Sequence, residues 1–440
     1  MASSYISRNQ SSNGSGKLTI SVWLKHCEAA EQLVVTSYYS GDYWGDLRFL
    51  SDGAIKFQDY RNSYIFQLET TAKFLDSTSW YHVVVNFDNT LASPTGKIYV
   101  NGVLQDLATT NQYSQNETSS FLTDYTLNIG TYNSGSNWNG SMADLYYIQG
   151  QVYEASTFGS INSTSGEWKP NPSPTIDYSS TGNNSFHMKF EDASNLDLDS
   201  GGNNLTFSTT GSPTQTLDSP SNNFATLNPL LYQNGTKVAA PTKGNTTFTS
   251  NGGAAWGTLL TTIGASSGKY YCEAKVTTLG TYAQPGICDM SVDQQNSNAA
   301  WFLGQTASSA QYGYDSNDGN LYNGGSAVSY GNSFTTGDII GIAMDLDNSK
   351  LYFSKNGTWQ NSGVPTSGST GTGAVSITAG KTYGFGFSGY DATVFDCNFG
   401  NGYFGTTAVS SAGTPASTPG TFEYDVPNGY QPLTTKGLNV

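Results

Sequence analysis

The sequence predicts an all-β protein of two antiparallel, jelly-roll-like β-sandwich domains in tandem, and three observations carry that expectation. Gly (50 residues) accompanies many Asn, Ser and Thr beside 29 Tyr and 21 Phe, the mixture that short strands joined by tight turns require. Apolar and polar residues alternate with period two along most of the chain, as half-buried strands do. Asn-Gly pairs stand between apolar runs in both halves, where a two-residue type I′ hairpin needs positive φ twice.

The elements follow in order. Leu18-Thr19-Ile20-Ser21-Val22-Trp23-Leu24 alternates as a strand before turning near Cys27. Residues 80–87 and 97–100 read as strands, with Asn101-Gly102 as the hairpin tip. The second half repeats the series, with strands over residues 339–346 and 350–353 and a tip at Asn356-Gly357 before Trp359. No amphipathic helix stands out, and residues 155–161 suggest a single turn. Residues 168–229 are rich in Ser, Asn, Gly and Pro but contain the strand Phe186-His187-Met188-Lys189-Phe190. The expected division is therefore a first domain over 1–217, a connector over 218–229 and a second domain over 230–440. Each domain is long enough to bury its own core.

Charge and cysteines narrow the function. A net charge of −15 with 18 scattered Lys and Arg leaves no basic stripe for phosphates, so no nucleic-acid partner is expected. No run of 18 apolar residues predicts membrane insertion. The start, Met1-Ala2-Ser3-Ser4-Tyr5-Ile6, lacks a basic n-region and an apolar h-region, so Sec-type export is not expected. Cys27, Cys272, Cys288 and Cys397 lack C-x-x-C spacing and read as buried reduced thiols, although a 272–288 or 288–397 bridge stays open.

Several stretches of the first half resemble the laminin-G/concanavalin-A-like family in the variety common in marine phage proteins: Tyr5-Ile6-Ser7-Arg8, Ser21-Val22-Trp23, Ser79-Trp80-Tyr81-His82-Val83, Lys97-Ile98-Tyr99-Val100-Asn101-Gly102 and Asn139-Gly140-Ser141-Met142-Ala143-Asp144. Gly166-Glu167-Trp168-Lys169-Pro170 and the run from Asp218-Ser219-Pro220 to Leu227-Asn228-Pro229 are similar to the connector that phage proteins place before a SPRY domain. The second half resembles SPRY through Gly268-Lys269-Tyr270-Tyr271-Cys272-Glu273, Gly337-Asp338-Ile339-Ile340-Gly341-Ile342 and Leu351-Tyr352-Phe353-Ser354-Lys355-Asn356-Gly357. The resemblance implies sandwiches that bind carbohydrate or protein through loops, though fold alone does not fix function.

No catalytic activity is expected. Nine Glu and three His (His26, His82, His187) leave few acid–base groups, and no Glu-x-Asp-x-x-Glu pattern occurs, whereas retaining glycosidases need two carboxylates about 5 Å apart. Asp197/Asp199 and Asp345/Asp347 do fall two apart, but turn residues follow both, so they read as solvated turn carboxylates. No cofactor is required. Laminin-G-like domains often hold calcium at the rim, which leaves Asp42 with Asp46, or Asp315 and Asp318 with Asn317 and Asn320, as oxygen donors; ordinary turn chemistry explains both.

Loop aromatics are the candidate ligand-binding residues: Tyr43, Trp44 and Trp138 in the first domain, and Tyr312, Tyr314 and Tyr322 in the second. Flat rings bind sugars or proteins at little entropic cost. Trp23, Trp80 and Trp359 are expected in the cores. The function these features imply is an exterior virion surface protein of a tailed phage, a tail fibre or other appendage, binding host-surface glycan or protein. The alternative is a structural decoration or cement protein whose partners are other virion proteins. Either would work as a homo-oligomer, since avidity multiplies weak contacts.

Overall fold

Short strands dominate because β-branched and aromatic residues alternate with small polar ones, and Gly and Asn interrupt the pattern. The computed structural model describes residues 4–12, 14–28, 30–131, 136–179, 184–231, 237–291, 301–305, 310–414 and 420–438. The chain divides into two compact units, Met1–Gln215 and Thr216–Val440.

The first unit begins with β1 (Tyr5–Asn9), β2 (Lys17–His26), β3 (Gln32–Ser40), β4 (Tyr43–Phe49), β5 (Ile55–Arg61) and β6 (Tyr64–Thr70). It continues with β7 (Tyr81–Asp88), β8 (Thr95–Val100), β9 (Val103–Leu104), β10 (Leu107–Asn111) and β11 (Thr126–Ile129). β12 (Gly140–Gln149), β13 (Gly159–Ile161), β14 (Trp168–Pro170), β15 (Phe186–Met188) and β16 (Ser208–Thr210) complete it. The order β10-β6-β5-β4-β3-β11-β1-β16 makes an eight-stranded antiparallel sheet, and β15-β12-β2-β7-β8-β9 a six-stranded one. Ile20, Val83, Val85 and Phe87 of the second sheet pack against Leu47, Phe57, Phe66 and Leu68 of the first. Phe87 lies 6.3 Å from Phe57 and 5.8 Å from Phe66, so the interior is closed by rings. The other side of the six-stranded sheet is covered too. Val84, Tyr99, Tyr146 and Ile148 meet Phe158 and Trp168 there, and residues 155–157 form the single expected turn.

The second unit contains β17 (Thr247–Thr249), β18 (Trp256–Leu260), β19 (Lys269–Thr278), β20 (Tyr282–Asp289), β21 (Gln311–Tyr314), β22 (Asn320–Asn323) and β23 (Ser326–Ser329). After these come β24 (Ile339–Asp345), β25 (Lys350–Lys355), β26 (Thr358–Trp359), β27 (Val375–Ser376), β28 (Tyr383–Tyr390) and β29 (Val394–Asn398). One sheet runs β17-β29-β19-β24-β25-β26 with β27 beside β25, and the other β18-β28-β20-β21-β22-β23. Val276, Ile340, Ile342 and Phe353 pack against Ile287, Tyr314, Phe385 and Phe387 between them.

Both Asn-Gly tips are type I′ turns, with φ of 48° and 80° at Asn101-Gly102 and 48° and 77° at Asn356-Gly357. Each Asn is held twice by a residue at the start of the adjacent strand. Its N–H donates to the carbonyl of His82 (2.9 Å) or Ile339 (2.8 Å), and its Oδ1 accepts that residue's N–H at 2.8 Å.

The expected connector is corrected. Residues 218–229 belong to the second unit, because Phe224, Ala225 and Leu227 are buried. The Ala225 N–H donates to the Leu433 carbonyl at 2.9 Å, so the ends of this unit close on each other. Limited proteolysis should therefore nick first within residues 211–217, where exposed positions cluster, and leave two protected fragments. First cuts inside residues 339–353 would contradict the division.

Cys27, Cys272, Cys288 and Cys397 are buried thiols outside any disulfide, as the sequence suggests. Burial pushes the thiols of Cys272, Cys288 and Cys397 up. Among the described residues no helix is long and apolar enough to cross a membrane.

Candidate functional site

Two hairpin tips meet at one end of the eight-stranded sheet. Asn62, at φ 60°, donates its N–H to the Asp42 carbonyl and its Nδ2 to Tyr43 Oη, each at 2.8 Å. The β5–β6 tip is thereby fastened to the β3–β4 tip.

Register then lines up rings. Tyr38, Trp44, Tyr60 and Tyr64 are successive partners across β3, β4, β5 and β6. Leu47 and Phe57 point into the core, so alternation turns this row to the outer face. Trp44 stacks on Tyr60 at 5.4 Å and meets Tyr64 edge-on at 6.1 Å. Its Nε1 donates to the Gly41 carbonyl at 3.2 Å. The Arg48 guanidinium lies 5.6 Å over Trp44, and Lys56 Nζ 6.0 Å over Tyr64. Both cations are already paired, Arg48 with Asp46 and Glu31, and Lys56 with Glu69. Burial raises the Asp46 carboxyl pKa against the pull of Arg48.

The inward side of the same rim differs. Tyr43 and Arg61 are register partners, and the guanidinium sits 5.3 Å over the Tyr43 ring. Tyr39, 67% exposed, meets Tyr43 edge-on at 6.4 Å and stacks on Tyr125 at 5.1 Å. Among the described residues Arg61 has no carboxylate partner, and its Nη1 is buried without an acceptor. An unsatisfied guanidinium donor costs free energy until something accepts from it.

Tyr43 and Trp44 thus belong to a rim cluster, although they lie on a strand rather than in a loop. Tyr39, Tyr60, Tyr64 and Arg61 join them unforeseen. Their signal was the four-strand alternation of residues 38–64, visible only once the register is known. Trp138 does not join. It packs on Phe49 at 5.8 Å, at the far end of β4, roughly 20 Å away at ~3.3 Å per residue. Tyr312 and Tyr314 are corrected from loop to core. Gln311-Tyr312-Gly313-Tyr314 is a strand, so both rings turn inward while Gly313 faces out. Tyr322 is half-buried on β22, edge-on to Phe302 at 5.6 Å. Trp23 and Trp80 are buried as expected, and Trp359 is half-buried against Tyr271 and Tyr352.

The acid–base candidates are committed elsewhere. His82, fully buried and held neutral with its pKa lowered to about 3 by desolvation, accepts the Trp168 Nε1–H at Nδ1 (2.9 Å). Its proton therefore sits on Nε2, directed at Ser21 Oγ 2.8 Å away, the reverse of a base activating a hydroxyl. His26 faces the carbonyls of Phe74 and Glu28, and His187 Nε2 lies 3.2 Å from Asp144. Asp199 and Asp345 are buried rather than solvated. Asp199 accepts N–H groups of His187, Gly201 and Leu205, and Asp345 pairs with Lys269 at 3.0 Å. In the calcium candidates, Asp46 is occupied by Arg48, Asp315 by Gln284 and Asn317, and Asp318 by Asn320. Among the described residues no three His, Cys, Asp or Glu groups converge to hold a metal.

Comparison with known proteins accords with this two-part build. Residues 1–153 match the concanavalin A-like lectin/glucanases superfamily, and residues 269–389 match the SPRY domain. Ran-binding protein 9 of Danio rerio is 34% identical over 96 residues, which are 22% of this chain and 15% of that protein. The Homo sapiens protein of that name is 34% identical over 96 residues, again 22% of this chain and 12% of its own length. The solved SPRY domain of human HERC1 is 20% identical, with 39% of this chain and 96% of that one covered at a TM-score of 0.29. These relatives are animal proteins, and this chain spans a small part of the two Ran-binding proteins. The chain therefore joins an N-terminal concanavalin A-like domain to a C-terminal SPRY domain, two β-sandwiches of the binding type.

Proposed function

We propose that this is a non-catalytic virion surface protein of a tailed phage that holds a host-surface glycan or protein at the rim of its first domain. The observation that carries the reading is Arg61, a guanidinium stacked on Tyr43 with no carboxylate partner among the described residues. It calls for an acceptor-bearing ligand, and the exposed ring of Tyr39, edge-on to Tyr43, supplies apolar contact. The phage assignment rests on the motifs around Trp168 and over residues 218–229. Exterior location and homo-oligomerisation follow from that assignment, since weak rim contacts gain from repetition.

Binding to bacterial surface polysaccharides, with and without uronic acids, tests it. Arg61→Ala and Tyr39→Ala should each weaken binding by about tenfold while leaving the melting temperature near that of the parent. Undiminished binding in the double variant would remove the rim from consideration. Turnover of a polysaccharide that disappears on changing one Asp or Glu would end the non-catalytic reading. Binding confined to stripped particles would favour a cement role.

A further inference from the structure

The second unit carries a separate aromatic face. Trp256, Tyr390 and Tyr282 are register partners across β18, β28 and β20. Leu259, Phe387 and Ile287 on those strands point into the core, so alternation turns the three rings outward. Trp256 stacks on Tyr282 at 5.7 Å, meets Tyr390 edge-on at 5.5 Å and lies 4.7 Å from Phe302. Phe302 in turn meets Tyr322. All five rings are half-buried.

Glycines make this arrangement possible. Gly386, Gly286 and Gly313 are register partners on the same face. A Cβ on Gly313 would come within 2.9 Å of Leu303 Cβ, and one on Gly386 within 3.2 Å of Leu303 Cδ1. Leu303 fills that notch, its N–H donates to Ser388 Oγ at 3.1 Å, and the preceding Phe302 is thereby presented beside Trp256.

The charge on this face is of one sign. The Tyr322 hydroxyl is raised by burial and then by the fields of Asp318 and Asp315, and Asp391 follows Tyr390 in sequence. No Lys or Arg is among these described side chains. Ring faces and carboxylates together suit a cationic ligand that donates hydrogen bonds. Neither an acidic ligand nor an uncharged sugar uses both, and the net charge of −15 draws cations in from a distance.

We propose that this face of the SPRY domain binds an arginine-bearing segment of a protein partner. The proposal concerns a different domain from the rim site and goes beyond that reading. The test uses the full chain and titrates a hexapeptide alternating glycine and arginine, followed by tryptophan fluorescence and calorimetry. Saturable binding is expected, weakened by about tenfold in Trp256→Ala and severalfold in Asp318→Asn, and reduced by salt. Arg61→Ala should leave it unchanged, which separates failure here from failure at the rim. Should Trp256→Ala misfold, Phe302→Ala and Tyr322→Ala take its place. No binding, parent-like binding by Phe302→Ala and Asp318→Asn together, or equal binding of the glutamine-for-arginine peptide would each overturn the proposal.

Discussion

Tyr314→Ala should destabilise the second unit by about 3–5 kcal/mol, among the largest effects of any single substitution in it. The ring is wholly buried and lies 5.2 Å from Phe334, 5.3 Å from Phe353 and 5.8 Å from Tyr330. Its truncation leaves a cavity bounded by three aromatic rings that have no room to collapse. Its hydroxyl also donates to the Asn332 carbonyl, so Tyr314→Phe should cost only about 1 kcal/mol. Urea titration of both variants checks this. Had Tyr314 belonged to a binding rim, as its Gly-rich surroundings suggest, neither variant would move the midpoint.

Glu273→Gln should change how stability depends on pH. The Glu273 carboxylate is buried in β19 and accepts the N–H groups of Glu423 (2.8 Å) and Tyr424 (2.9 Å) and the Tyr271 hydroxyl (3.1 Å). It ties the segment containing Phe422 and Val426 over Tyr271 and Tyr352. Burial outweighs these bonds and pushes its pKa up to about 7. Between about pH 4.5 and 7 the unfolded chain has released this proton while the folded chain keeps it. Stability contributed by the group is complete at the acid end of that window. It falls as pH rises, and about 3 kcal/mol is lost by neutrality. The glutamine variant lacks this slope, so the parent-minus-variant difference in unfolding free energy should decline across the window. A difference independent of pH would show that Glu273 ionises normally.

Much of the fold was legible because its signals are local. Alternation placed β2, β7, β24 and β25, and the Asn-Gly pairs announced both hairpin tips before any contact was known. The cysteines, too few and too irregular for a framework, read correctly as core thiols. What depends on register was not legible. A ring beside glycine resembles a loop residue until pairing shows that Gly313 faces out and Tyr312 and Tyr314 face in. Trp44 was found by its turn-rich setting, but Tyr60 and Tyr64 became its neighbours only through cross-strand pairing. Arg61 gave no sign at all, because the want of a carboxylate partner among the described residues is a property of its surroundings. The polar run over residues 218–229 looked like a linker since its few apolar residues are diluted by Ser, Asn and Pro; closure against Leu433 makes them core.

The distribution of sulfur has a practical side. One inaccessible thiol, Cys27, belongs to the first unit and three, Cys272, Cys288 and Cys397, to the second. An alkylating reagent reaches them only when the surrounding sheet opens, so each adduct records an opening event rather than a surface property. The added mass on each half then acts as a separate clock for that half. Without any engineered label, the two sandwiches can be timed independently within one intact chain, including when a ligand is added that holds only one of them shut.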